Sequence, residues 1–171
     1  MTTRNFIIVS LSILPFFARG QQSKSDSAKF IVQNVQIEDI GPPSPDLISK
    51  FKGLQDWLLD ICNNDNPKKS IMKYQFELFN SANEYTIALF GVNTYETKDS
   101  LVTRIEFEPA NTYFKLPETY YENLGRQEVL EKLTSQLKDF AKTEKFSACF
   151  FTKANIIVFE TNGQTIWSKQ Q

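Results

Sequence analysis

Between residues 126 and 142 the apolar side chains Val129, Leu130, Leu133, Leu137, Phe140 and Ala141 recur three and four apart, the spacing that gathers them on one stripe of an α-helix. Glu128, Glu131, Lys132, Lys138 and Asp139 fall off that stripe. The pattern predicts an amphipathic helix starting near Asn123 and Gly125. Upstream, Ser44-Pro45-Asp46 predicts another helix start. Serine serves as N-cap, proline sits where its missing N–H costs nothing, and aspartate meets the positive end of the dipole. Leu47, Phe51, Leu54, Leu58 and Ile61 then share one face, and Asn63-Asn64-Asp65-Asn66-Pro67 stops the helix.

Elsewhere the period is two. Phe30, Ile31, Val32, Val35 and Ile37 mark a first strand that ends at Gly41-Pro42-Pro43. After the first helix Met72, Tyr74, Phe76 and Leu78 alternate with Lys73, Gln75 and Glu77, and beyond a turn at residues 80–83 come Tyr85, Ile87 and Leu89. Leu101, Thr103, Ile105 and Phe107 oppose Arg104, Glu106 and Glu108, the alternation of a strand with one solvated side. Past the second helix, the short apolar runs 146–151 and 156–159 predict two strands. A turn at Lys153-Ala154-Asn155 joins them, and Asn162-Gly163 predicts a type I′ turn pairing residues 158–161 with 164–168.

The elements sum to an α+β fold: a mainly antiparallel sheet of about six to seven strands with two helices, in the order β-α-βββ-α-βββ. Each half reads as a helix plus a meander, with Ser81-Ala82-Asn83 and Lys153-Ala154-Asn155 at corresponding turns. In order of elements the chain resembles the type III secretion chaperone fold; the likeness implies a fold and carries no function.

Composition changes this picture mainly at the N-terminus. Arg4, the apolar residues 6–17 and the small residues around Ala18-Arg19-Gly20 have the three regions of a signal peptide. The expectation is a leader over residues 1–20, a polar disordered segment over 21–28 and a single domain over 29–171. The competing reading, an uncleaved membrane anchor, asks a short apolar run to span a bilayer. The expected location is therefore secreted or periplasmic, with no membrane attachment after cleavage. The whole chain carries 19 basic and 20 acidic residues. Such a balance leaves no electrostatic footprint for nucleic acid.

The chain has no histidine, which removes the usual serine and cysteine triads and the commonest metal ligand. It has no glycine-rich phosphate loop and no Cys or His cluster of zinc spacing, so neither cofactor nor metal is expected. Cys62 and Cys149 are either one disulfide closing a long loop or two buried thiols. Glu106 and Glu108 beside Arg104 offer a carboxylate site, against the plainer reading of a solvated face of mixed charge. The connection 109–125 carries Tyr113, Phe114, Tyr120 and Tyr121, either as a partner surface or as cover for the sheet. The candidate binding residues are thus Tyr113, Phe114, Tyr120, Tyr121, Arg104 and Glu106. The expected function is an exported binding protein, an inhibitor or immunity-type protein whose partner is another protein. The alternatives are a small envelope hydrolase using carboxylates and a chaperone or scaffold for exported chains; the weight lies against an enzyme.

Overall fold

The computed structural model describes residues 36–37, 49–81, 84–98 and 100–169. The expected leader, the segment 21–28, the helix start at residues 44–46 and most of the first strand lie outside them. In chain order the elements are β1 (Gln36–Ile37), α1 (Leu54–Asn64), β2 (Lys73–Ser81), β3 (Glu84–Glu96), β4 (Leu101–Phe107), β5 (Tyr113–Lys115), α2 (Glu118–Tyr121), α3 (Arg126–Phe140), α4 (Glu144–Ala148), β6 (Ile156–Phe159) and β7 (Gln164–Ser168). The sheet runs β1-β4-β3-β2-β6-β7, with β5 added beside β3. Its pairings are antiparallel except β1 with β4 and β2 with β6. The fold is α+β. Among the described residues no helix is long and apolar enough to cross a membrane.

Helix α3 forms where its stripe predicts, burying Val129, Leu130, Leu133, Leu137 and Phe140. Glu128 reaches back to accept the N–H of Gly125 at 2.7 Å, satisfying one donor the helix start leaves bare. Helix α1 buries Leu54, Trp57, Leu58 and Ile61 and stops at Asn64, inside the asparagine cluster. Its start differs from the expectation: residues 51–53 are not helical and Gly53 is the N-cap. Glycine is a poor helix former, by about 1 kcal/mol against alanine. Phe51 instead packs edge-on against Phe114, ring centroids 6.4 Å apart.

The largest correction concerns residues 146–151, which form no strand. Thr143 caps α4 by accepting the N–H of Phe146 at 3.2 Å, and a 3-10 turn over Phe150–Lys153 follows. The buried residues Phe146, Cys149, Phe150 and Ala154 are spaced three, four and eight apart, a helical interval that aromatic content had outweighed. The expected meander therefore collapses to one hairpin, β6–β7, and the architectural repeat between the halves goes with it. β6 lies parallel to β2, from Lys73 opposite Ile156 to Phe76 opposite Phe159. Two short helices, α2 and α4, join the two expected ones.

The β6–β7 turn also departs from type I′. Residues Glu160–Asn162 make a 3-10 turn, and Gly163 alone takes a positive φ of 66°. Asn162 accepts from the N–H of Gln164 at 3.1 Å and donates to Thr134 Oγ1 on α3 at 3.0 Å, so its side chain ties the hairpin to the helix.

One face of the sheet carries the main core, where Trp57 stacks on Phe114 at 5.9 Å and Tyr74 meets Phe107, Phe150 and Phe151. The other face holds Ala88, Phe90 and Val92, packed with Phe79, Ile105 and Tyr113. Alternation along β4 places Ile105 and Phe107 on one side, but Gly91 pairs with Phe107 and Val92 with Ile105. This bulge sends the two side chains to opposite faces. Gly91 permits the crowding: a Cβ there would stand 2.9 Å from Phe107 Cβ and 3.1 Å from Tyr74 Cε1. Cys62 of α1 and Cys149, at the end of α4 and not in a strand, form a disulfide with Cα atoms 5.2 Å apart across 87 residues of sequence.

Candidate functional site

Past Asn93, β3 leaves the core, and Thr94, Tyr95 and Glu96 are exposed. There the strand meets Arg104 and Glu106 of β4 and Lys69 of the loop before β2. Tyr95 donates its hydroxyl to Glu106 Oε1 at 2.9 Å, and Lys69 pairs with the other carboxylate oxygen. The Arg104 guanidinium lies 5.9 Å from the Tyr95 ring centroid, a cation–π arrangement. The hydrogen bond from Lys69, then that from Tyr95, holds the Glu106 carboxyl below the ordinary carboxylate range, and the same bond raises Lys69. Met72 and Tyr95, at 48% and 41% exposure, are the exposed large apolar side chains among the described residues. They belong to one end of the sheet, since the Met72 N–H donates to Asn93 Oδ1 at 2.7 Å, two residues from Tyr95 on β3.

Glu106 and Glu108 do not converge. Glu106 is held by Lys69 and Tyr95, whereas Glu108 lies past the bulge, where its charge, after burial, helps raise the phenol of Tyr113. Two carboxylates flanking a common space, which glycoside hydrolysis needs, are absent from this strand.

The four aromatic residues of the 109–125 connection go to four places. Phe114 is fully buried in the main core. Tyr113 packs edge-on against Phe79 and Phe90 on the opposite face of the sheet. Tyr121 meets Tyr85 edge-on at 5.1 Å. Tyr120 faces a groove of about 550 Å³ between the start of α1, α2 and α3, with Leu54, Leu58 and Phe140 among its lining. Its hydroxyl donates to Gln136 Oε1 at 2.7 Å, while Lys132 sits 4.1 Å from its ring centroid and donates to its carbonyl oxygen at 2.7 Å. Burial raises its phenol. Helix α1 pins the head of the connection: Trp57 Nε1 donates to Asn111 O at 2.7 Å, Asp60 accepts from Asn111 Nδ2 and Asp65 from the N–H of Ala110, each at 2.9 Å. The connection is structured and strapped to the helices.

Of the six residues singled out from the sequence, the structure brings only Arg104 and Glu106 together, and it adds Tyr95, Lys69 and Met72. Continuing the alternation of β3 beyond Leu89 would have reached Tyr95, an aromatic flanked by polar neighbours. Nothing in the local pattern links Lys69 to Glu106. Among the described residues no group of three or more acidic, Cys or His side chains is placed to hold a metal ion. No family model matches this sequence, and no curated protein and no solved structure matches it either.

Proposed function

We propose that the protein is an exported binding protein that acts on another protein, as an inhibitor or immunity-type partner. The observation that carries this reading is the Tyr95–Arg104–Met72 end of the sheet. Tyrosine and arginine dominate the energetics of protein interfaces and methionine is enriched there. Here an exposed tyrosine is fixed from behind by Glu106 and overlaid by Arg104, so little side-chain freedom is left to lose on binding. Export is supported by the signal-peptide pattern of residues 1–20 and by the Cys62–Cys149 bond, since disulfides persist mainly in oxidising compartments. Protein isolated from its native host is expected to begin at Gln21; N-terminal mass analysis that finds residues 1–20 retained removes export from the proposal.

The test of binding is capture from the native secreted or periplasmic fraction with wild type beside Tyr95→Ala/Arg104→Glu. Wild type is expected to retain a stoichiometric partner that the double variant loses, with both unfolding at nearly the same urea concentration. Capture that is unchanged by the double substitution, or absent with wild type, overturns the reading. One observation favours a second reading, a chaperone or scaffold for exported chains: the groove at Tyr120 is open and lined by both apolar and polar groups. Tyr95→Ala would leave that activity intact.

A further inference from the structure

The Asn162-Gly163 pair, the one such pair in the chain, does more than turn the β6–β7 hairpin. An asparagine followed by glycine is a labile amide, because no side chain shields the next backbone nitrogen from the carboxamide carbon. Here that nitrogen stands in open surroundings: Gly163 is exposed, and a Cβ added to it would meet nothing within 4 Å. Gln164 donates its N–H to Asn162 Oδ1 at 3.1 Å, a donor placed where negative charge develops when the carboxamide carbon is attacked. Two other bonds oppose the reaction. The Gly163 N–H is held by Glu160 O at 3.1 Å, which keeps the proton on the attacking nitrogen. Asn162 Nδ2 donates to Thr134 Oγ1 at 3.0 Å, and the buried Thr134 gives its own proton to Leu130 O at 2.7 Å. The threonine therefore holds the amide nitrogen without offering it the proton it needs to depart.

We propose that Asn162 is a self-modifying site, converted to isoaspartate with water as the only co-reactant, and that its bond to Thr134 on α3 sets the rate. In the first step the Gly163 nitrogen gives its proton to solvent and bonds to Asn162 Cγ, the Cγ–Nδ2 bond breaks, ammonia leaves and a cyclic imide closes. Water then opens the ring. Attack at the backbone carbonyl carbon of Asn162 breaks its bond to the Gly163 nitrogen, leaves that carbon as a free carboxylate and routes the chain through Cγ, which is isoaspartate. Attack at Cγ gives aspartate instead. Isoaspartate lengthens the backbone between β6 and β7 by a carbon and removes the amide that donates to Thr134. The hairpin then loses its tie to the helix, close to where Trp167 of β7 packs edge-on against Phe146 at 5.6 Å. While the hairpin is docked on α3 the conversion is slow, and each local opening releases the amide. The site shares no residue with the Tyr95 end of the sheet, so either can fail without the other.

The full chain, held at mildly alkaline pH and mapped over time by peptide mass spectrometry, tests the proposal in native buffer and in urea. Asn162 of wild type is expected to convert at least several-fold more slowly in native buffer than in urea. Thr134→Val, which keeps the shape and removes the hydroxyl, is expected to convert several-fold faster than wild type in native buffer, and Thr134→Ser, which keeps the hydroxyl, as slowly as wild type. The converted wild-type fraction, separable by its added negative charge, is expected to unfold at a lower urea concentration. The proposal is overturned if Asn162 stays an amide even in urea, if native and unfolded chains convert at the same rate, if Thr134→Val converts no faster than wild type, if Thr134→Ser converts as fast as Thr134→Val, or if the converted fraction unfolds as the unconverted one does.

Discussion

Strand β3 passes through two regions of opposite character. From Tyr85 to Asn93 every residue is buried, with aromatic and aliphatic side chains on both faces. Two residues further on, Tyr95 stands in solvent, held by Glu106 and Arg104. The two regions use the same residue types for different ends. In the first, rings such as Tyr74, Phe107, Phe150 and Phe151 touch one another and make stability out of apolar area. In the second, a ring is kept rigid and left exposed, which adds little to stability and presents a surface. The contrast predicts that changes in the first region move unfolding and leave recognition alone, and that changes in the second do the reverse.

The largest effect should come from the staple between α1 and the end of α4. Closing a loop of 87 residues restricts the unfolded chain by about 4.6 kcal/mol in the chain-entropy account. Cys62→Ala/Cys149→Ala should therefore lower the urea midpoint markedly, and reductant should do the same to wild type. A midpoint insensitive to both would mean that the buried region holds without its staple. Next come Leu133→Ala and Phe159→Ala. Both side chains are fully buried, and each substitution is expected to cost about 2 to 5 kcal/mol by loss of contact and creation of a cavity. Gly91→Ala follows, at about 1 to 3 kcal/mol, because the new methyl collides with Phe107 and Tyr74 and the neighbours must shift.

In the exposed region Tyr95→Ala should change stability by less than about 0.5 kcal/mol. A larger loss would make Tyr95 part of the core and erase the distinction between the two regions. The smallest effect is a pH dependence. Donors from Lys69 and Tyr95 lower the folded pKa of Glu106. Any stability it contributes is therefore present above the unfolded carboxylate value, near about 4.3, and is lost as pH falls through the folded value. Wild type and Glu106→Gln should thus differ slightly at neutral pH and converge in acid. A gap that widens in acid would contradict the geometry at Lys69.

How well the sequence could be read follows from the range of the forces at each point. Helix α3 and strands β2 to β4 were legible because burial on one face writes a local period. Residues 146–151 were not, since a short apolar run fits a buried strand or a short helix equally well. The tie is broken by the Thr143 cap and by the tether from Cys149 to α1, and that tether is set at a distance of 87 residues. α1 starts later than the helical stripe predicts because Phe51, which matches that stripe, docks on Phe114, far along the chain. The candidate site was legible only at Arg104 and Glu106. Its Lys69 and Tyr95 are supplied by a loop and by the far end of another strand, which no single stretch of sequence joins.

The parallel pairing of β2 with β6 has a kinetic consequence. β2 finds its first partner, β3, next to it in the chain, but its second lies about eighty residues away. Closing so long a loop makes the step slow. Until β6 arrives, β2 presents a bare edge carrying Tyr74, Phe76 and Leu78, a template for pairing between chains. A Cys62–Cys149 bond formed early would shorten the search, because it delivers the turn preceding β6 to the side of α1. The oxidised chain should then refold faster than the reduced one and lose less material to aggregates at the same protein concentration.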